Sequence, residues 1–117
     1  MRALAEAREI FDAATDETSY RTAASRAYFA TFNFMIERAV ADGFERENRG
    51  TDHGRLLVFL MARSGSLDYR IGRRLKTMRS IRAHADYQTK LTFTRSQAQD
   101  VLEMAEEVIL DWCGEAE

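Results

Sequence analysis

At 117 residues the chain is long enough for one hydrophobic core and too short for two, so a single domain over residues 1–117 is expected. Hydrophobic residues make up 45% and charged residues 31%, a balance that excludes disorder along the whole length, and the absence of proline leaves nearly every segment free to be helical. The net charge of -2 does not by itself mark a nucleic-acid binder, the single Cys113 excludes an internal disulfide, and the N-terminus lacks the continuous apolar stretch of a signal peptide or membrane span, so a cytoplasmic protein with no membrane partner is expected.

Residues 3 to 14 place Leu4, Ala7, Ile10, Phe11 and Ala14 at three- and four-residue steps, one face of a short N-terminal amphipathic helix. The polar cluster Asp16 to Ser19 breaks the pattern. A long run then follows through Ala24, Ala27, Tyr28, Phe32, Met35, Ile36 and Ala39, the expected longest core helix, with Gly43 as its C-terminal stop. The stretch from Glu45 to Thr51 is charged and unpatterned and reads as a mobile loop. Thr51 or Asp52 is the expected cap of a helix through Leu56, Leu57, Phe59, Leu60 and Met61, and Ser64, Gly65 and Ser66 form the next connection. A fourth helix is predicted from about Leu67 to Tyr87. Thr94 followed by Gln97 makes a capping-box pattern that opens a last helix through Ala98, Val101, Leu102, Ala105, Val108, Ile109 and Trp112, which Gly114 closes. Long amphipathic helices joined by short loops predict an all-α, up-and-down antiparallel four-helix bundle with the additional short N-terminal helix.

The charges are unevenly spread. From Arg70 to Arg82 six of thirteen residues are basic and none is acidic, whereas after Asp100 the acidic residues Glu103, Glu106, Glu107, Asp111, Glu115 and Glu117 meet no Lys or Arg. On the fourth helix, Leu67, Ile71, Leu75, Met78, Ile81 and Ala85 share one arc of roughly 120°, the expected core face. The opposite side carries Arg73, Lys76, Arg79, Ala83, His84 and Tyr87. Arg holds phosphate through a planar fork of donors, Tyr stacks on a base, and His moves a proton near neutral pH, so this side suits a phosphate-bearing partner. The plainer reading is a solvated face, or one that compensates the acidic last helix. Arg82 and Asp86, four apart, are expected to pair along the helix edge. His53 reads as a helix-start residue, and Tyr28 with its aromatic neighbours reads as core.

Three patches of the sequence resemble the HEPN family of small prokaryotic helical bundles, often encoded beside a minimal nucleotidyltransferase. They are Ser25-Arg26-Ala27-Tyr28-Phe29-Ala30-Thr31-Phe32, His53 with the following Leu57-Val58-Phe59, and Arg82-Ala83-His84-Ala85-Asp86-Tyr87, which is similar to an R-x-x-A-D-Y pattern. Arg79 and His84 also fit the R-x4-6-H motif of HEPN nucleases, although Ser80 stands where many active members carry Asn, Asp or His, and members with the R-x-x-A-D-Y pattern often lack the catalytic His. The resemblance implies a metal-independent endoribonuclease, the toxin of a HEPN/minimal nucleotidyltransferase toxin-antitoxin pair, whose site forms between two protomers. In that reading Arg79 and His84 are catalytic, Arg73, Lys76, Arg82 and Tyr87 bind RNA or nucleotide, and Asp86 supports them. His84 would serve as base or acid and Arg79 would offset charge on phosphorus. Residues five apart differ by about 140° around a helix, so Arg79 and His84 of one chain need not converge, and a two-fold partner would remove this difficulty by supplying groups from both sides of one cleft. The resemblance also implies Tyr87 as a modification target.

Two further readings stand beside the nuclease: a non-catalytic nucleotide- or substrate-binding subunit of a nucleotidyltransferase, and a plain helical dimerisation module. The sequence carries no zinc-ligand spacing, no Gly-rich phosphate loop after a strand, and no Ser or Cys nucleophile with a nearby base, so neither a metal nor a cofactor is implied.

Overall fold

The structure, a computed structural model, describes residues 2–48, 50–62 and 66–116, with side chains through Asp111. Among the described residues there are five helices and no strand: α1 (Arg2–Ala13), α2 (Glu17–Ala41), α3 (Asp52–Met61), α4 (Leu67–Tyr87) and α5 (Arg95–Ala116). The expected elements are therefore present in the expected order, and the fold is all-α. None of these helices is long and apolar enough to cross a membrane.

Local chemistry sets most of the helix ends. Asp16 has extended backbone and accepts the Ser19 amide at 2.8 Å, a bond that also holds its carboxyl below the usual carboxylate range. Beyond Ala41, Gly43 takes the left-handed conformation, φ +106°, that lets the chain leave α2. Ser66 caps α4 through the Tyr69 amide at 3.2 Å. The Thr94–Gln97 capping box forms in both directions, with the Gln97 amide donating to Thr94 Oγ1 at 3.2 Å and the Thr94 amide donating to Gln97 Oε1 at 2.8 Å.

Two helix ends depart from expectation. Thr51 makes no side-chain cap bond and has helical backbone; Asp52 is instead a buried carboxylate that accepts the Glu47 and Asn48 amides of the preceding loop, at 3.1 and 2.8 Å, and pairs with Arg55 at 3.0 Å. Burial works to raise its pKa, but these bonds outweigh it and hold the group ionised. The carboxylate was thus claimed by loop amides rather than by the helix. At the other end, α5 runs through Gly114 to Ala116: a glycine costs a helix only about 1 kcal/mol, too little to stop one by itself. Ser64 and Gly65 of the expected connection, and the side chains of Trp112 and Cys113, lie outside the described residues.

The core forms around α2, which touches all four other helices. Its buried residues, Ala23, Ala24, Ala27, Tyr28, Ala30, Thr31, Phe32, Met35, Ile36 and Ala39, extend over more than the one face predicted. The alanines let neighbouring helices approach closely, and the buried Thr31 hydroxyl returns its proton to the Ala27 carbonyl at 2.9 Å. Ile71, Leu75, Met78 and Ala85 of α4 are buried as the arc predicted, with Leu67 and Ile81 packed at its edge. Val101, Leu102, Ala105 and Val108 supply the face of α5. Each fully buried aliphatic side chain contributes roughly 1.5–3 kcal/mol of transfer free energy, so this cluster is the main source of stability. An ion pair between the half-buried Arg38 and the buried Asp68, at 3.1 Å, ties α2 to α4.

Candidate functional site

α4 presents its basic residues along several edges, and their partners differ. Arg74 pairs with Glu107 at 3.5 Å and with Asp111, so part of the basic run does compensate the acidic α5. Arg82 pairs with Asp86 through Nε at 2.9 Å, the expected i,i+4 contact. Among the described residues no carboxylate lies within ion-pair distance of Arg73, Lys76 or Arg79. Arg73 and Lys76 are exposed and, with Met61, Thr77 and Ser80, line a shallow hollow of about 360 Å³. Arg79 is half-buried; its Nη1 lies over Gly54 of α3, 3.6 Å from where a Cβ would stand.

The packing of α2 against α4 fixes Arg82. Ser25, Tyr28, Phe29 and Phe32 fall on one side of α2 by helical spacing, and Arg82 and Asp86 on the facing side of α4. The Arg82 guanidinium sits 4.6 Å from the Phe29 ring centroid, 5.5 Å from Tyr28 and 5.2 Å from Tyr87. Asp86 Oδ2 accepts from both Arg82 Nε and Ser25 Oγ, the latter at 3.2 Å, and Arg82 Nη2 donates to Tyr87 Oη at 3.2 Å. Arg82 is thus held on one edge with its Nη1 donors left without a partner among the described residues. Tyr87 remains 71% exposed.

His53, in the first turn of α3, completes this region. Its Nδ1 is 2.7 Å from Tyr28 Oη, and its ring stacks on Phe32 with centroids 3.9 Å apart and planes 10° from parallel. Burial, then the Arg82 and Arg79 charges, push the His53 pKa down, while Asp52 opposes them. Burial pushes the Tyr28 phenol up to about 12, against the pull of the same two arginines. A phenol both donates and accepts, so the contact is compatible with either imidazole tautomer; in the one whose Nδ1 accepts from Tyr28 Oη, Nε2 carries the hydrogen.

His84 lies elsewhere. Its Nε2 is 3.1 Å from the Thr92 carbonyl, and its ring meets Phe93 edge-on at 5.8 Å. Because a carbonyl only accepts, Nε2 bears the proton and Nδ1 is the free nitrogen. None of these neighbours is shared with Arg79. Within one chain the structure therefore gathers Arg82, Asp86 and Tyr87 beside Tyr28, which bonds His53, sets Arg79 against Gly54 next to His53, and gives His84 separate partners, Thr92 and Phe93. Sequence reasoning passed over Tyr28 as core and His53 as a helix-start residue. Both descriptions hold, since Tyr28 is buried and His53 opens α3, yet the two side chains meet. The signal available was the pair of resembling patches that contain them.

Among the described residues no cluster of three or more His, Cys, Asp or Glu side chains comes together in a way that could hold a metal ion. Compared with protein-family models, with curated proteins and with solved structures, the chain gave no match.

Proposed function

We propose that this chain is a HEPN-type domain, with α2 to α5 as an up-and-down antiparallel bundle and α1 added to it, that holds RNA or a nucleotide by its phosphates on the basic face of α4. In this reading it is the nucleotide- or substrate-binding subunit of a minimal nucleotidyltransferase, working in the cytoplasm. The observation that carries it is the strip Arg73, Lys76 and Arg79, cationic groups left without carboxylate partners among the described residues of a chain whose net charge is -2. Unneutralised cations on a rigid helix attract phosphates and release their counterions on binding.

A second reading, the metal-independent endoribonuclease toxin, is favoured by the free Nδ1 of His84 and the open Tyr87 ring at the end of the same helix. It requires a homodimer whose two-fold axis brings Arg79 of one protomer to His84 of its partner, with Tyr87 as the point of modification.

One assay separates the two: fluorescence anisotropy of a labelled single-stranded RNA in EDTA across a salt series, with the RNA then run on a denaturing gel. Binding is expected to weaken in Arg73→Gln and Lys76→Gln, and the log–log salt slope to shrink by roughly 0.7 for each phosphate that is no longer neutralised. An unchanged slope in the double variant, or no binding by the wild type, overturns the binding reading. Cleavage that disappears in both Arg79→Ala and His84→Ala, with folding retained, replaces it with the nuclease.

A further inference from the structure

The junction of α2, α3 and α4 contains more than a strip of surface charge. Arg82 reaches it across the rings of Phe29 and Tyr28, and Arg79 reaches it over Gly54, the residue next to His53. The carboxylates nearby are already engaged. Asp86 is bound by Ser25 and Arg82 Nε, and Asp52 by two loop amides and Arg55. What remains unengaged among the described residues is a set of donors: Nη1 of Arg82, the Arg79 guanidinium and, in the tautomer whose Nδ1 accepts from Tyr28, His53 Nε2–H. Donors without acceptors, on side chains fixed by stacking and hydrogen bonding, form a preorganised seat for an anion. The forked geometry of guanidinium favours phosphate, and a neutral imidazole adds a donor with no further charge to desolvate. The exposed Tyr87 ring stands beside Arg82, so a base joined to that phosphate has an aromatic face within reach.

We propose that His53, Arg79 and Arg82 form a seat for one phosphate group of a nucleoside phosphate ester, with Tyr87 as the stacking platform for its base. Resting on the phosphate-binding reading of α4, this assigns the imidazole of the site to His53, and Arg73 and Lys76 then hold more distant phosphates. His53 acts as a ligand-binding residue. Tyr28 is a positioning residue that acts through it.

The test is a titration of the intact protein with AMP, with a 5'-phosphorylated oligouridylate and with inorganic phosphate, followed by the imidazole nitrogen resonances of His53. Those resonances are expected to move on addition of AMP or the oligomer. Arg79→Gln and His53→Phe, the second keeping the stack on Phe32, are each expected to weaken binding about tenfold, as loss of a charge-assisted or desolvated hydrogen bond does. Tyr87→Ala is expected to weaken AMP and oligomer roughly five- to hundredfold through lost stacking while leaving inorganic phosphate unaffected. Binding of AMP identifies a free nucleotide as ligand, and binding of the oligomer alone identifies RNA; either supports the seat. If the wild type binds while the His53 resonances stay fixed and Arg79→Gln and His53→Phe bind like the wild type, the seat is overturned and the Arg73–Lys76 strip alone carries the function. If the wild type binds none of the three, both readings fall.

Discussion

His53 and Tyr28 hold one proton between them at a shared hydrogen bond of 2.7 Å, and both resist ionisation, which makes stability depend on pH at both ends. For His53 the folded pKa lies below the free value of 6.5, so on acidification the unfolded chain takes up a proton first. Stability is intact above about 6.5 and falls as pH drops from there toward the lowered folded value. Tyr28 behaves oppositely: its contribution is present below 10.0, the free value, and is lost as pH rises toward about 12. Thermal melts across pH are expected to show both losses, with the acid slope flattened in His53→Phe and the alkaline slope flattened in Tyr28→Phe; melts indifferent to these substitutions would contradict the burial argument. Legibility in the sequence follows the range of each contact. The Arg82–Asp86 pair was readable because i,i+4 spacing on one helix fixes the neighbourhood. The Tyr28–His53 bond joins residues 25 apart on different helices across a loop, and no periodicity carries across a loop. For Arg79 and His84 the helical angle alone set the two side chains apart, and in the structure they have different partners.

At the level of elements, α3 matters to the site because it delivers His53 and supports Arg79, and its seating on α4 depends on Gly72. A Cβ at Gly72 would stand 2.7 Å from Met61 Cγ and 3.2 Å from Leu60 Cβ. Gly72→Val is therefore expected to push α3 outward and to destabilise the fold by roughly 1–3 kcal/mol, the usual cost of overpacking. Urea denaturation measures it, and a variant as stable as the wild type would mean that the contact is not tight. Helix order and the span of α4 were legible because apolar residues recur at the helical period and the caps are local motifs, as with Thr94 and Gln97. The start of α3 was legible too, at Thr51 and Asp52, but the bonds of the Asp52 carboxylate were not, because it had two sets of amides within reach and only tertiary structure decides between a helix terminus and a loop. Gly72 was equally silent, since a glycine required by a neighbouring helix looks the same in sequence as one that is merely tolerated.

Across the whole molecule, ion pairs join helices that are distant in sequence: Arg8 of α1 meets Glu106 of α5, and Arg74 of α4 meets Glu107 and Asp111. These pairs are partly exposed, and exposed pairs contribute about 0–1 kcal/mol each, so the apolar cluster around α2 dominates. The contrast between a basic and an acidic helix was visible in the sequence, but which of the basic residues are neutralised was not, because that depends on which edge of α4 faces α5. A different long-range contact has greater consequence. Arg21 of α2 donates to the carbonyls of His84 and Ala85, at 3.2 and 2.7 Å, and to that of Leu91, while its neighbour Glu17 accepts the Phe93 amide at 2.6 Å. Arg21→Ala is expected to cost on the order of 2 kcal/mol, as loss of hydrogen bonds from a charged donor does, and to speed amide exchange over residues 88–93. Equal exchange in variant and wild type would show the contact to be incidental.

The guanidinium that closes α4 thus belongs to a residue 63 and 64 positions upstream of the carbonyls it binds. During synthesis from the N-terminus this clamp is already made when the end of α4 emerges, but it can close only after α2 and α4 have docked. Part of the carbonyl hydrogen bonding in the last turn of α4, the turn that carries Tyr87, thus depends on the docking of α2.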